Sequence, residues 1–345
     1  MKNKVTIKEV AKKAGVSSAT VSYVLNKKET ISEETKKRVW KAIDELRYVP
    51  DLSARSLTAG SSKLIGVLIP QTENSSRIMF ENNFYSEILG SIEYCARLKG
   101  YHILISAADT TEKYLNLVKE RNLDGVIVIG IYPNSFYKEM KKSKIPIVLI
   151  DSYCNDHYYH SIRIDDVYGG YLSTKYMIEH GHRRIAFFCG EIKENGVMKK
   201  RLQGYCEALD EYGIKYNEDY VFEGKVNYES GIVLADSLCK SNVKATAVVT
   251  TADILAISAI KAFYEQGIRV PDDISIIGFD DLQISKYITP GLTTVHQEIS
   301  MKGKQAMDLL IKNIENPTMT KQEEIIPINI VERGSVKTIG GEETK

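Results

Sequence analysis

The strongest constraint on this chain lies near its start, where residues 5–26 carry two short helical patterns parted by one glycine. Thr6 followed by Glu9 is a capping box, so the first helix is expected to begin at Ile7 with its free amides satisfied. Val10, Ala11 and Ala14 give that helix an apolar face, and Gly15 permits the backbone conformation a tight turn demands. Ser17 can cap a second helix, with Val21, Val24 and Leu25 facing inward and Ser18, Ala19, Ser22 and Tyr23 facing out. Small outward side chains at the start of that helix let its backbone approach base edges in a DNA major groove. An ordinary helical hairpin has the same caps and spacing, so the motif alone leaves both readings open.

The residues that follow favour DNA. Residues 32–47 form a third amphipathic pattern, capped by Ser32, with Glu33 and Glu34 at the positive helix start. Val39, Ala42, Ile43 and Leu46 would close a three-helix core, and Pro50 ends the unit. A short helical segment, 51–58, leads to Gly60, Ser61 and Ser62, which loosen the chain before a new domain. Residues 1–60 hold thirteen Lys/Arg against seven Asp/Glu, a surplus of six, whereas the whole chain is only +1. Positive charge is therefore concentrated where phosphates would need it. A solvated basic helix would explain the charge but not the caps and the turn.

Downstream the pattern changes. Short apolar runs at 64–70, 101–106, 125–129, 146–150, 184–189, 245–250 and 275–278 read as buried parallel strands. Helical patterns lie between them, for example at 85–98, 168–180 and 198–211. Such alternation implies parallel sheets with right-handed crossovers. The strands are too many for one sheet, so two lobes with a cleft are expected, and open sheets bind ligands beyond the carboxyl ends of their strands.

Other classes are less well supported. Lys2, Lys4, Lys8 and Glu9 interrupt any signal-peptide core, and no apolar run is long enough for a membrane span, so a cytoplasmic protein without membrane contact is expected. The five cysteines are odd in number and lack a CxxC pair, as reduced thiols would be. Phosphate-loop, dinucleotide and nucleophile-elbow glycine motifs are absent, which argues against an enzyme with a bound cofactor. Cys154, His157 and His160 lie close together but lack a second ligand cluster, so an exposed polar loop is expected there and no metal.

Taken together, the motifs resemble those of LacI/GalR-family transcription regulators. The resemblance rests on residues 6–11, Gly15-Val16-Ser17, Thr20-Val21-Ser22, Leu25-Asn26, 47–50 and Ala54-Arg55-Ser56-Leu57. It continues through Gly181-His182-Arg183, Gly278-Phe279-Asp280-Asp281, 290–295 and Glu332-Arg333-Gly334-Ser335, so it covers essentially the whole chain. It implies an N-terminal all-α helix-turn-helix domain (1–50), a hinge helix and linker (51–63), and a periplasmic-binding-protein-like core (64–340). The core would be α/β, with two doubly wound parallel-sheet lobes: lobe one about 64–163 plus 293–325, lobe two about 164–292 plus 326–340.

The resemblance assigns Ser18, Ala19 and Tyr23 to base reading, and Tyr23 stands where many members carry an arginine, so a bidentate guanine contact is unavailable. Thr6, Ser17, Thr20, Ser22 and Asn26 are better placed for phosphates. Ala54 and Leu57 fall in the hinge, where Leu57 matches the side chain wedged into a minor-groove step. In the cleft, Arg201 and Asp280 follow strand ends and match the family's effector-binding pair, able to donate to and accept from hydroxyls. Asp151 and Phe84 match further pocket positions, and a simple interlobe ion pair is the competing role for these side chains. Ala252 and Val226 depart from frequent effector-contacting Asn and aromatic residues, and the loop 71–83 is long. The expected protein is a non-enzymatic repressor of carbohydrate-utilisation genes that binds a palindromic operator as a homodimer, without a tetramerising coil, under control of a sugar. A protein corepressor is the alternative; a solute-binding protein or an enzyme on the same fold is less favoured.

Overall fold

The computed structural model describes residues 5–25, 30–48, 61–69, 82–107, 111–154, 158–194 and 196–340. Asn26, Ala54, Leu57, His157 and nearly all of the loop 71–83 lie outside the described residues. The chain divides into two compact units, 1–62 and 63–345.

The amino-terminal unit contains α1 (Ile7–Ala14), α2 (Ser18–Leu25) and α3 (Glu33–Leu46). Both halves of the capping box form: Glu9 N–H donates to Thr6 Oγ1 and Thr6 N–H donates to the Glu9 carboxylate at 2.7 Å. Gly15 closes α1 at φ 67°, a conformation open to glycine at no steric cost. Thr20 N–H donates to Ser17 Oγ at 3.1 Å, and Ser32 caps α3. Val10, Val21, Val24, Val39 and Ile43 meet in one core, with Leu46 packed at its margin.

In the second unit, two six-stranded sheets repeat one plan. The first contains β1 (Leu64–Leu68), β2 (His102–Ser106), β3 (Gly125–Ile129), β4 (Ile147–Ile150), β5 (His160–Ile164) and β11 (Glu323–Ile326), in the order β11-β5-β4-β3-β1-β2. The second contains β6 (Ile185–Gly190), β7 (Val221–Gly224), β8 (Ala247–Thr250), β9 (Ser275–Asp280), β10 (Thr294–Gln297) and β12 (Ile328–Val331), in the order β12-β10-β9-β8-β6-β7. Every pairing is parallel except β10 with β12. The order in which successive strands are added reverses between β1 and β3 and between β6 and β8, the switch points beside which such sheets hold ligands.

Helices cover both faces of each sheet. In lobe one, α4 (Asn83–Leu98) and α11 (Ile299–Glu315) cover one face, and α5 (Thr111–Arg121) and α6 (Asn134–Met140) the other. In lobe two these roles fall to α9 (Tyr228–Lys240) with α10 (Asp253–Glu265), and to α7 (Asp166–Glu179) with α8 (Val197–Glu211). Among the described residues no helix is long and apolar enough to cross a membrane.

The chain passes between the lobes after β5, after β10 and between β11 and β12. This corrects the expected start of the returning lobe-one segment at 293. Residues 294–297 form a strand of the second sheet, held to β9 and β12, and the return begins with α11. The strands β5, β7, β10, β11 and β12 are not among the apolar runs: β5 alternates, β7, β11 and β12 are half-exposed, and β10 buries the polar Thr294 and Gln297.

Helices α7 and α8 touch backbone to backbone. A Cβ at Gly170 would sit 2.0 Å from the Arg201 carbonyl oxygen, and one at Gly204 1.9 Å from that of Val167. Gly170→Ala is therefore expected to push α8 outward and cost about 1–3 kcal/mol, read as a lower urea midpoint. An unchanged midpoint would mean that the two helices separate freely.

Candidate functional site

Two surfaces carry chemistry, one on each unit. On the amino-terminal unit Thr6, Ser17, Ala19 and Tyr23 are exposed, and Ser18, Thr20 and Ser22 are half-buried. Beneath them Val21, Val24 and Leu25 anchor α2, so the opposite face of that helix is fixed by packing. Lys8, Lys12 and Lys13 on α1 are exposed as well.

On the core, the polar side chains gather where strands of both lobes end. Asp151 follows β4 at φ 51°, Asp280 ends β9 at φ 123°, and Asp281 follows at φ 57°. Backbone at positive φ costs a non-glycine residue of order 1–3 kcal/mol and persists where the surroundings over-determine it. Here the surroundings are buried hydrogen bonds. Lys302, fully buried on α11, donates to Asp151 Oδ1 at 2.6 Å and to Gln297 Oε1 at 2.5 Å. The other end of Gln297 donates to Asp280 Oδ1 at 2.5 Å. One amide thus links a carboxylate of lobe two to a cation of lobe one.

A second chain of contacts runs through Arg201. Its Nε and Nη2 each lie 2.8 Å from Asp166 Oδ1, its Nη1 donates to the Thr251 carbonyl at 2.5 Å, and its guanidinium lies 3.5 Å from the centre of the Phe279 ring. Asp166 also accepts from Tyr153 Oη of lobe one at 2.8 Å. Phe84, near the start of α4, has its ring 5.8 Å from Lys302 Nζ and meets Tyr85 edge-on. Arg201, Asp280, Asp151 and Phe84 are therefore neighbours in one network, and the ion pairs formed there, Arg201 with Asp166 and Asp151 with Lys302, each lie within one lobe rather than between the lobes.

Burial dominates the electrostatics. Desolvation raises Asp280 to about 8, against the lowering effect of Arg201. Desolvation also raises Asp151, partly offset by Lys302, and raises Tyr85, which faces both Asp151 and Asp280. Asp253 is raised by burial too, although Leu282 N–H, Ser285 Oγ and Thr294 Oγ1 all donate to it. Thr251 Oγ1, buried next to the carbonyl that holds Arg201, has no hydrogen-bond partner among the described residues. The network thus combines satisfied ion pairs with unspent hydrogen-bonding capacity at Asp280 and Thr251.

Asp166, Gln297, Thr251 and Lys302 escaped the sequence reading. Only Lys302 left a signal: it occupies the apolar stripe of α11 with Ile299, Gly303, Ala306 and Leu310, where a lysine needs a buried partner. Ala252 stands at the cap position of α10 and Val226 packs at the margin of the lobe-two core. His160 begins β5 and is buried, and among the described residues no three acidic, His or Cys side chains could hold a metal ion.

Residues 6–51 match the model of bacterial regulatory proteins of the lacI family, and residues 174–336 that of a periplasmic binding protein-like domain. The HTH-type transcriptional repressor PurR of Vibrio atlanticus (strain LGP32) is 36% identical over 97% of this chain and 99% of its own length. This chain belongs to the LacI family. Among solved structures, the lac repressor dimer bound to operator and the anti-inducer ONPF superposes with a TM-score of 0.84 at 26% identity, covering 97% of this chain and all of that one. A transcriptional regulator CelR–cellobiose complex gives 0.72 at 26% identity, over 96% of this chain and 99% of that one. This LacI-family chain is thus a DNA-binding, ligand-regulated transcriptional repressor, not an enzyme.

Proposed function

We propose that this LacI-family repressor binds a two-fold symmetric operator as a homodimer, and that a small polar effector between the lobes sets its operator affinity. The observation that carries the effector reading is the buried polar network joining the lobes through Gln297, with spare capacity at Asp280 and Thr251. A ligand donating to Asp280 and accepting from Thr251 would favour one lobe geometry over another, which is how a ligand shifts a two-state equilibrium. Ser18, Ala19 and Tyr23 would read bases, and Thr6, Ser17, Thr20, Ser22 and Asn26 would hold phosphates. Residues 51–63 would act as the hinge, with Ala54 and Leu57 at the minor groove.

Arg201, Asp280, Asp151 and Phe84 suit a sugar, with charge-assisted bonds to hydroxyls and an aromatic face. The CelR structure, solved with cellobiose, supports that class. Ala252 and Val226 favour a second reading, a planar nitrogen heterocycle stacked on Phe84. The full-length PurR relative at 36% identity also leaves the sugar class open.

The test is operator binding to DNA flanking the gene, at fixed salt, with a panel of mono- and disaccharides and of nucleobases. An operator affinity changed at least tenfold by one class identifies the effector class and the sign of the switch. Specific binding unaffected by every compound would exclude both readings and favour a protein corepressor. In the same assay Leu57→Ala should weaken specific far more than non-specific binding; equal losses would remove Leu57 from the minor groove.

A further inference from the structure

A charged cluster outside the effector network sits where the chain leaves β10 for lobe one. His296, half-buried near the end of β10, has a carboxylate at each ring nitrogen. Its Nδ1 lies 2.9 Å from Asp281 Oδ2, and its Nε2 lies 3.2 Å from Glu298 Oε1. Asp281 follows β9 in lobe two, and Arg333, beyond β12, holds its other oxygen at 2.5 Å. Glu298 is the crossover residue that immediately precedes α11 of lobe one. On the lobe-one side, Glu87 of α4 accepts from Ser300 Oγ at 3.3 Å. Burial raises the Glu87 pKa, with Asp281 and Glu298 adding to the rise and His296 opposing it. Three carboxylates thus face one imidazole and one guanidinium at the passage between the lobes.

A neutral imidazole has one N–H, so it donates to one of its two carboxylates and turns a lone pair on the other. A charged ring donates to both. Histidine is the side chain whose ordinary charge change falls between pH 5 and 8. Few other groups share that range with His296. Residues 1–62 contain no histidine. His160 and His182 are buried, and desolvation lowers both to about 4, which keeps them neutral. His102 is exposed and His180 Nδ1 lies 2.8 Å from the Tyr176 carbonyl oxygen; neither forms an ion pair among the described residues. His296 also borders the effector network along the chain. Asp281 at φ 57° follows Asp280 at φ 123°, so the grip on the Asp281 carboxylate steadies that strained pair, and Gln297 is the next residue.

We propose that His296 is a proton-dependent positioning residue of this passage. Charged, it ties Asp281 of lobe two to Glu298 at the entry to α11 and holds the crossover in one conformation; neutral, it keeps only one of the two bonds. A hinge is a few residues at element ends that absorb a change in φ and ψ, and the bridge spans such a place. Its effect on DNA rests on the reading that lobe geometry sets operator affinity, whereas the bridge itself does not.

Proton–nitrogen NMR of the full chain labelled with ¹⁵N-histidine tests the bridge. At about pH 5.5, two ring N–H resonances absent from His296→Gln are expected, one of them lost in Glu298→Ala; at about pH 8 a single one should remain. One ring resonance at the lower pH, or two persisting at the higher, would overturn the proposal. The second measurement is affinity for DNA flanking the gene at about pH 6 and pH 8, at fixed salt. The ratio of the two affinities is expected to differ about threefold or more between the wild type and His296→Gln. Asp280, at about 8, titrates in both proteins and does not distinguish them. An unchanged ratio beside an intact bridge would make His296 a local brace and overturn its role between the lobes. Wild-type protein without specific DNA binding at either pH would instead remove the operator reading, and the NMR result alone would then decide the bridge.

Discussion

Replacing Arg201 with alanine is expected to destabilise the core by about 3–5 kcal/mol, because it strands a fully buried carboxylate. Asp166 would keep only the Tyr153 hydroxyl among its side-chain partners, and the Thr251 carbonyl would lose its donor. Lysine should not restore stability, since one ammonium cannot reach the aspartate and the carbonyl while stacking on Phe279. The double variant Arg201→Ala with Asp166→Asn should recover part of the loss, because no charge is then left unpaired. Urea unfolding should be followed by circular dichroism, since the sole tryptophan, Trp40, reports on α3 of the other unit. A loss below about 1 kcal/mol would show that water reaches Asp166. At temperatures where the variant stays folded, the effector response should disappear while operator affinity persists. Retained effector affinity would remove Arg201 from the ligand site and leave it a strut within lobe two.

The second large effect is on pH dependence. Asp280 has a folded pKa of about 8 against an ordinary carboxylate value of 3.8, so the folded protein keeps a proton that the unfolded chain gives up. Its contribution is fully present below pH 3.8 and is lost as pH rises towards 8. Between those limits the slope from this group approaches about 1.4 kcal/mol per pH unit, with stability falling as pH rises. Raised values at Asp151 and Asp253 act in the same direction. Asp280→Asn keeps an oxygen to accept the Gln297 amide and should flatten the dependence across pH 5–8. The measurement is the urea midpoint of both proteins at several pH values. Parallel curves would mean that Asp280 is ionised at neutral pH, with Arg201 its effective counter-charge.

The features legible in the residues alone are local ones. The capping box at Thr6 and Glu9, the left-handed Gly15 and the stripes Val10–Ala14 and Val39–Ile43 involve neighbours within one or two turns, so their spacing was enough to place all three helices. The strands β1, β3 and β4, buried over all or nearly all of their length, were legible for a like reason, as short apolar runs. Positions of Arg201, Asp280, Asp151 and Phe84 in one cleft followed from strand ends together with the family resemblance. The tertiary structure decided the partners. Asp166 and Arg201 are 35 residues apart and Lys302 and Asp151 are 151 apart, so no local pattern joins them. Which strand belongs to which lobe was likewise decided by pairing, as β10 shows: its four residues carry no periodicity that names a partner, and hydrogen bonds to β9 and β12 place it in lobe two. Local caps and stripes are written in adjacent residues, whereas a buried charge finds its counter-charge only once the chain has folded it out of water.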